Sequence, residues 1–192
     1  MEQIKILEEQ VLSANWYTLK KYSYEILKKN GKWEKQSREV YDRGNGAVIL
    51  LYNIEKKTVI LTRQFRLPSY VNGNEQGFLI EACAGLLDQD RPEEAIRRET
   101  EEETGYRVDK VKKIFEAYMS PGSVSEILHF FIAEYSASMK VNEGGGVEHE
   151  QEDIEVLEIH FLKALDMVES GEIRDAKTIL LLQYVKIKEI FS

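Results

Sequence analysis

The segment that most constrains this chain is Pro92-Glu93-Glu94-Ala95-Ile96-Arg97-Arg98-Glu99-Thr100-Glu101-Glu102-Glu103-Thr104-Gly105. Proline suits the first helical turn, where its missing N–H has no partner to lose, and glycine suits the residue just past the last turn. Together they predict a helix over Pro92–Thr104. Its charges work against its stability. Glu99, Glu101, Glu102 and Glu103 crowd the C-terminal half, where the peptide dipoles already place negative potential, at a cost of about 0.3–1 kcal/mol per misplaced anion. Glu99 and Glu103 are also a like-charge i, i+4 pair, unfavourable by roughly 0.2–0.5 kcal/mol. Helical spacing puts Glu99, Glu102 and Glu103 on one face and Glu101 nearly opposite. Three carboxylates converging on one face suit a hard cation such as Mg2+, which takes oxygen ligands and bridges to substrate phosphates. The plainer reading is a solvated glutamate-rich face. A local rule broken without compensation, however, is where function is expected.

Around this helix the 192 residues read largely as strands. Tyr22, Tyr24 and Ile26 alternate with polar or smaller residues, Asn30-Gly31 suits a hairpin turn, and Trp33 opens the returning strand. Ala47–Tyr52 and Thr58–Thr62 are apolar and β-branched, with a polar turn at 53–57 between them; Leu79–Glu81 and Ile127–Glu134 also read as strands. Phe161, Leu165 and Val168 predict a helix over Phe161–Glu169 that stops at Gly171. Asp175 can cap a last helix with Ile179, Leu182 and Val185 on its apolar face. Adjacent strands with a few helices predict an α+β layered fold.

Lysine and arginine number 26 against 34 acids, a net charge of −8. That excludes a general nucleic-acid binder, which needs a basic face for phosphates. One cysteine, Cys83, excludes an intramolecular disulfide and a cysteine-rich zinc site and points to a reducing compartment. The first residues have no apolar core of a signal peptide, and the longest apolar run is far too short to span a bilayer. A cytoplasmic protein without membrane association is expected.

The segment Gly85–Tyr106 resembles the Nudix box, G-x5-E-x7-R-E-U-x-E-E-x-G-U, through Arg98-Glu99, Glu102-Glu103 and Gly105-Tyr106. Thr100 replaces the first bulky apolar residue. The first glutamate slot holds Arg91 counted from Gly85 and Asp90 counted back from Arg98, so the loop is one residue short. Arg63-Gln64-Phe65-Arg66, Glu81–Leu86, Met119-Ser120-Pro121-Gly122, Glu126, Glu152–Val156 and Asp175-Ala176-Lys177-Thr178 are similar to the nucleotide-sugar pyrophosphatase branch of the Nudix hydrolases. Arg38–Gly46 and the Gly144-Gly145-Gly146 triplet are most similar to bacterial GDP-mannose pyrophosphatases.

The resemblance implies a Nudix α/β/α sandwich over 44–192 preceded by an N-terminal antiparallel β-subdomain over 1–43. It implies Mg2+-dependent hydrolysis of a nucleoside diphosphate sugar, GDP-mannose to GMP and mannose 1-phosphate, with Mn2+ as a possible substitute. By the same resemblance, Glu99 and Glu103 are metal ligands with the Ala84 carbonyl, Glu102 shares the work, and Arg98 is a structural partner. Glu152, on an acidic loop, assists the attacking water and reaches the metals, and the glycine triplet supplies mobility. Arg38, Glu39, Arg66, Gly85, Leu86, Glu126, Gln151 and Lys177 are expected to contact substrate. Trp16 and Tyr17 either stack on the base or pack in the β-subdomain. Related members are homodimers in which the N-terminal strands complete the partner's site.

Two alternatives remain at this level: an ADP-ribose pyrophosphatase, and a non-catalytic Nudix-fold nucleotide sensor. The charge pattern favours a small phosphorylated ligand. Residues 90–103 carry −4 and residues 143–158 carry −7, so the remainder is about +3 and suits an anionic substrate.

Overall fold

A computed structural model describes residues 3–147 and 152–191. Two compact units divide the chain, one formed by Met1–Asn45 with Tyr118–Ile127, the other by Gly46–Ala117 with Leu128–Ser192.

In the first unit, β1 (Ile4–Ala14), β2 (Thr18–Leu27) and β3 (Trp33–Asp42) form an antiparallel sheet in chain order. The expected hairpin is present. Gly31 takes a left-handed φ of 77°, and Asn30 Oδ1 accepts from the Lys32 amide at 3.0 Å. The sequence did not announce β1. Its alternation is interrupted by register shifts at Ile6/Glu8 and Val11/Ser13, each of which moves the following side chains to the other face. The segment 118–127 is stitched to β3, with the Tyr41 amide donating to Ser123 O at 2.8 Å and the Ser125 amide to Tyr41 O at 3.2 Å.

In the second unit the elements are β4 (Gly46–Asn53), β5 (Thr58–Phe65), α1 (Leu67–Val71), β6 (Phe78–Glu81), β7 (Ala84–Leu86), α2 (Pro92–Thr104), β8 (Lys112–Tyr118), β9 (Ile127–Glu134), β10 (Glu155–His160), α3 (Phe161–Glu169) and α4 (Ala176–Ile187). The sheet runs β10-β5-β4-β9-β8, with β6 paired to β5 and β7 to β4. β4 and β9 are parallel, with Ile49 opposite Phe131.

β4 is a continuous apolar run because helices cover both of its faces. Ala47, Ile49 and Leu51 join Phe131, Ala133 and the α2 residue Ile96 in one buried cluster. On the other face Phe130 packs on Phe115, which meets Tyr184 of α4, and α4 lies against β4. The result in this unit is helix, sheet and helix in three layers, the expected α+β sandwich, and the other unit is the expected N-terminal antiparallel sheet. α3 and the Asp175 cap of α4 fall where the sequence put them. The buried face of α4 is Thr178, Leu181, Leu182 and Val185, with Ile179 only half-buried. β8 and β10 were not legible. β10 is an edge strand whose outward glutamates pair with basic residues, Arg63 with Glu155 at 3.2 Å and Lys56 with Glu158 at 2.9 Å. Charge of this kind hides a strand pattern while protecting an edge. Among the described residues no helix is long and apolar enough to cross a membrane.

Candidate active site

α2 begins and ends as its sequence dictates. Pro92 occupies the first turn, and Gly105 closes the last with φ 77°. Thr100, the unusual residue in the box, is buried and donates its hydroxyl to the Ile96 carbonyl one turn back, so a polar residue fits an apolar slot by satisfying itself locally. Glu101 faces away and is held by both arms of Arg107 at 2.7 and 2.8 Å.

The remaining three glutamates meet different surroundings. Arg98 Nη1 lies 2.9 Å from Glu99 Oε1 and 3.1 Å from Glu102 Oε2, and its Nε lies 3.8 Å from Asp90. Arg98 therefore offsets the like-charge repulsion. Of the two residues that share the first box slot, Asp90 lies near Arg98, while Arg91 pairs with Glu94 on the surface. Glu103 is 1% exposed, and its buried Oε2 has no hydrogen-bond partner among the described residues. Burial pushes its carboxyl up to about 8 despite a hydrogen bond from Cys83, and the charges of Glu152 and Glu99 add to the rise.

A buried carboxylate oxygen without a partner is costly unless something supplies positive charge. The oxygen donors here are those a hard divalent cation takes. Gly85 belongs to the same corner. A Cβ there would stand 2.1 Å from Glu99 Cδ, so only glycine lets Glu99 lie over β7. Among the described residues no three acidic, histidine or cysteine side chains already form a metal cage, since Arg98 draws Glu99 and Glu102 towards itself. The residues fit a divalent cation through charge and an open carboxylate oxygen rather than through a preformed cage.

The glycine triplet has a more specific role than mobility. The Gly145 amide donates to Glu103 O at 2.9 Å and the Gly146 amide to Glu102 O at 3.0 Å. These are carbonyls that a helix end leaves unsatisfied. Gly144 has φ 70°, and a Cβ on it would meet the Glu103 carbonyl at 2.4 Å. A Cβ on Gly146 would meet Glu152 Oε2, also at 2.4 Å, and this carboxylate accepts from the Val147 amide at 3.1 Å. The loop is thus pinned to the end of α2, and the charge of Glu152 is felt at Glu103. Gln151 lies outside the described residues, as do Glu148, His149 and Glu150.

A second cluster centres on Glu81, 2% exposed. Arg66 grips it with Nε at 2.9 Å and Nη2 at 3.0 Å, and Lys177 Nζ donates to it at 2.6 Å. Burial alone would raise its carboxyl, but Lys177 and Arg66 hold it at about 2. Arg66 and Lys177 are therefore brought together, as their shared assignment required, through a residue to which the sequence reading gave no role. The available signal was a lone charge in the otherwise apolar stretch Ile80-Glu81-Ala82-Cys83-Ala84, because a charge in a buried strand needs partners. Ala84, Gly85 and Leu86 are half-buried in β7.

In the other unit Trp16 is 83% exposed, which removes core packing as its role. Tyr17 sits edge-on to Trp16 and to Tyr41, with the Arg43 guanidinium over its ring at 5.5 Å. Arg43 also lies 3.6 Å from Glu126. Arg38 and Glu39 are exposed on β3, and Arg38 donates to the Ser37 carbonyl.

Comparison with known proteins extends this picture. The NUDIX domain family matches residues 42–182. The family described as GDP-mannose pyrophosphatase NudK N-terminal domain matches residues 3–41. A protein named GDP-mannose pyrophosphatase from Escherichia coli O1:K1 / APEC is 58% identical over 191 residues, covering 100% of this chain and 99% of its own. Its namesakes from Shigella dysenteriae serotype 1 and Escherichia coli O157:H7 are 57% identical with the same coverage. With the box glutamates gathered at one end of α2 and similarity running the length of the chain, the protein belongs to the Nudix hydrolases, a family that generally uses divalent metals.

Proposed function

We propose that this protein hydrolyses the pyrophosphate bond of GDP-mannose to GMP and mannose 1-phosphate, with Mg2+ as the metal and Mn2+ as a substitute. The observation that carries the reading is Glu103, a buried carboxyl with an unpartnered oxygen, under the charges of Glu99 and Glu152. The full-length identity to pyrophosphatases named for GDP-mannose supports the choice of sugar.

Glu99, Glu103, Glu152 and the Ala84 carbonyl would hold the metal, with Glu102 adjacent. When bound, a divalent cation supplies charge neutralisation for the diphosphate and a more acidic water. Glu152 orders the attacking water and accepts its proton at a carboxylate oxygen. The water oxygen bonds to phosphorus as the bridging P–O bond breaks, and that bridging oxygen leaves on one of the two monophosphates. Arg66 uses Nε and Nη2 on Glu81, so its Nη1 edge remains for a diphosphate oxygen. Lys177, Gly85, Leu86 and Gln151 complete the contacts to sugar and phosphate. Trp16 and Tyr17 serve the base, and Arg38, Glu39 and Glu126 serve its nucleotide.

Residues 1–43 are proposed for dimerisation and substrate contact and residues 44–192 for hydrolysis. The homodimer reading is supported by β1, where Ile4, Ile6, Leu7, Val11 and Leu12 are all exposed; a second copy would cover such a surface. The buried, unpaired Cys83 suits a reducing cytoplasm. The test is a panel of nucleotide sugars with Mg2+, scored by phosphate release after phosphatase coupling. GDP-mannose should give the highest kcat/KM. Turnover of ADP-ribose at an equal or higher kcat/KM would overturn the mannose reading.

A further inference from the structure

At the corner between β6 and β7, side chains and one peptide group close a ring. Lys177 Nζ donates to Glu81 Oε2 at 2.6 Å and to Asp175 Oδ1 at 2.9 Å. Asp175 Oδ2 accepts from the Thr178 hydroxyl at 2.6 Å and from the Thr178 amide at 3.0 Å. Thr178 Oγ1 in turn accepts from the Ala82 amide at 2.7 Å. The ring leaves from the Glu81 side chain and returns at the next peptide nitrogen.

The donor count fixes its direction. The single hydroxyl proton of Thr178 goes to the Asp175 carboxylate, which has none to give, so a lone pair of the same oxygen is left for the Ala82 N–H. Thr178 and Ala82 are essentially fully buried, so no water substitutes at either atom. The corner is held from the sheet side as well. Cys83 O accepts from the Ile49 amide at 2.9 Å, and Ala84 pairs with Val48.

We propose that Asp175 and Thr178 are positioning residues that, through the Ala82 amide, fix the β6–β7 corner and with it the Ala84 carbonyl. This rests on the reading of Ala84, Glu99 and Glu103 as metal ligands. The N-terminal cap of α4 then does two tasks. It ends the helix, and it holds the backbone that carries one of the ligands. Groups that orient ligands in this way typically affect metal affinity by about 10–100-fold.

The test is Mn2+ binding to the full-length protein without substrate, read from the electron paramagnetic resonance signal of free Mn2+, together with thermal melting in chelator. Thr178→Val keeps the shape and removes both hydrogen bonds of the hydroxyl. It should raise the Mn2+ Kd about tenfold or more, and Thr178→Ser should restore it. Asp175→Asn, which keeps a cap acceptor but loses one of its two carboxylate acceptors, should give a smaller rise and covers the case in which Thr178→Val does not fold. The proposal is overturned if Thr178→Val, or Asp175→Asn in its place, lowers the melting temperature while Mn2+ binding matches that of the wild type. Glu103→Gln measured alongside separates the two claims. If it loses Mn2+ while the ring variants keep it, only the positioning role fails. If it binds like the wild type, the metal-ligand reading fails too.

Discussion

Glu103→Gln tests the site through stability as well as activity. The Glu103 carboxyl sits at about 8 in the fold against an ordinary 4.5. Between those values the folded chain holds a proton that the unfolded chain has released, so stability falls as pH rises through the window. At about 1.36 kcal/mol per unit, a rise from 4.5 to about 8 bounds the loss at about 5 kcal/mol. Adjustment by neighbouring Glu152 and Glu99 lowers it, to about 2–4 kcal/mol by the usual size of such penalties. Glutamine has no proton to release at this position. Urea unfolding in chelator should therefore find the variant close to wild type near pH 5 and more stable by about 2–4 kcal/mol near pH 9. Mg2+ should recover the difference in the wild type, because only there does the buried position 103 offer it an anion, and should stabilise the variant less through Glu99 and Glu152 alone. Hydrolysis should fall by about 100-fold or more in the variant. A stability difference that is flat with pH, or equal stabilisation of both proteins by Mg2+, would refute the reasoning.

Other perturbations reach the same site from different sides. Gly85→Ala places a Cβ 2.1 Å from the end of the Glu99 side chain, which can swing aside; melting in chelator should stay near wild type while Mn2+ half-saturation rises about tenfold. Gly144→Ala meets the Glu103 carbonyl, which cannot yield, at φ 70°. It should cost about 1–3 kcal/mol in urea unfolding, whereas Gly122→Ala, which meets open space, should stay within about 0.5 kcal/mol. Glu81, held at about 2 against 4.5, stabilises the fold above the higher value and loses that contribution as pH falls towards the lower. Removing it with Glu81→Gln should flatten the acid limb of the stability curve in that window. Glu152→Gln should lower kcat about 100-fold or more with KM little changed, and Glu150→Gln should leave the rate nearly intact; the opposite ranking would move the water-activating role to Glu150.

The sequence alone determined α2. Pro92, Gly105 and the spacing of Glu99, Glu102 and Glu103 are local facts, and local rules fix where such a helix starts, stops and points its charges. It also determined β4, because an apolar run of that length has few places to go except between two layers, and the cap at Asp175. β1, β8 and β10 escaped. Bulges break the alternation of β1, and glutamates paired with Arg63 of β5 and with Lys56 in the turn before it mask β10. Tertiary structure alone decided which glutamate is buried. Arg98 pairs with Glu99 and Glu102, which stay partly exposed, while Glu103, hydrogen-bonded by Cys83, is buried. It also decided that Glu81 gathers Arg66 and Lys177, and that Gly144–Gly146 fit against the end of α2. Helical periodicity places a side chain on a face. Whether that face meets water, a cation or a carboxylate depends on residues far away in the chain, and those distances close only when the sheet forms.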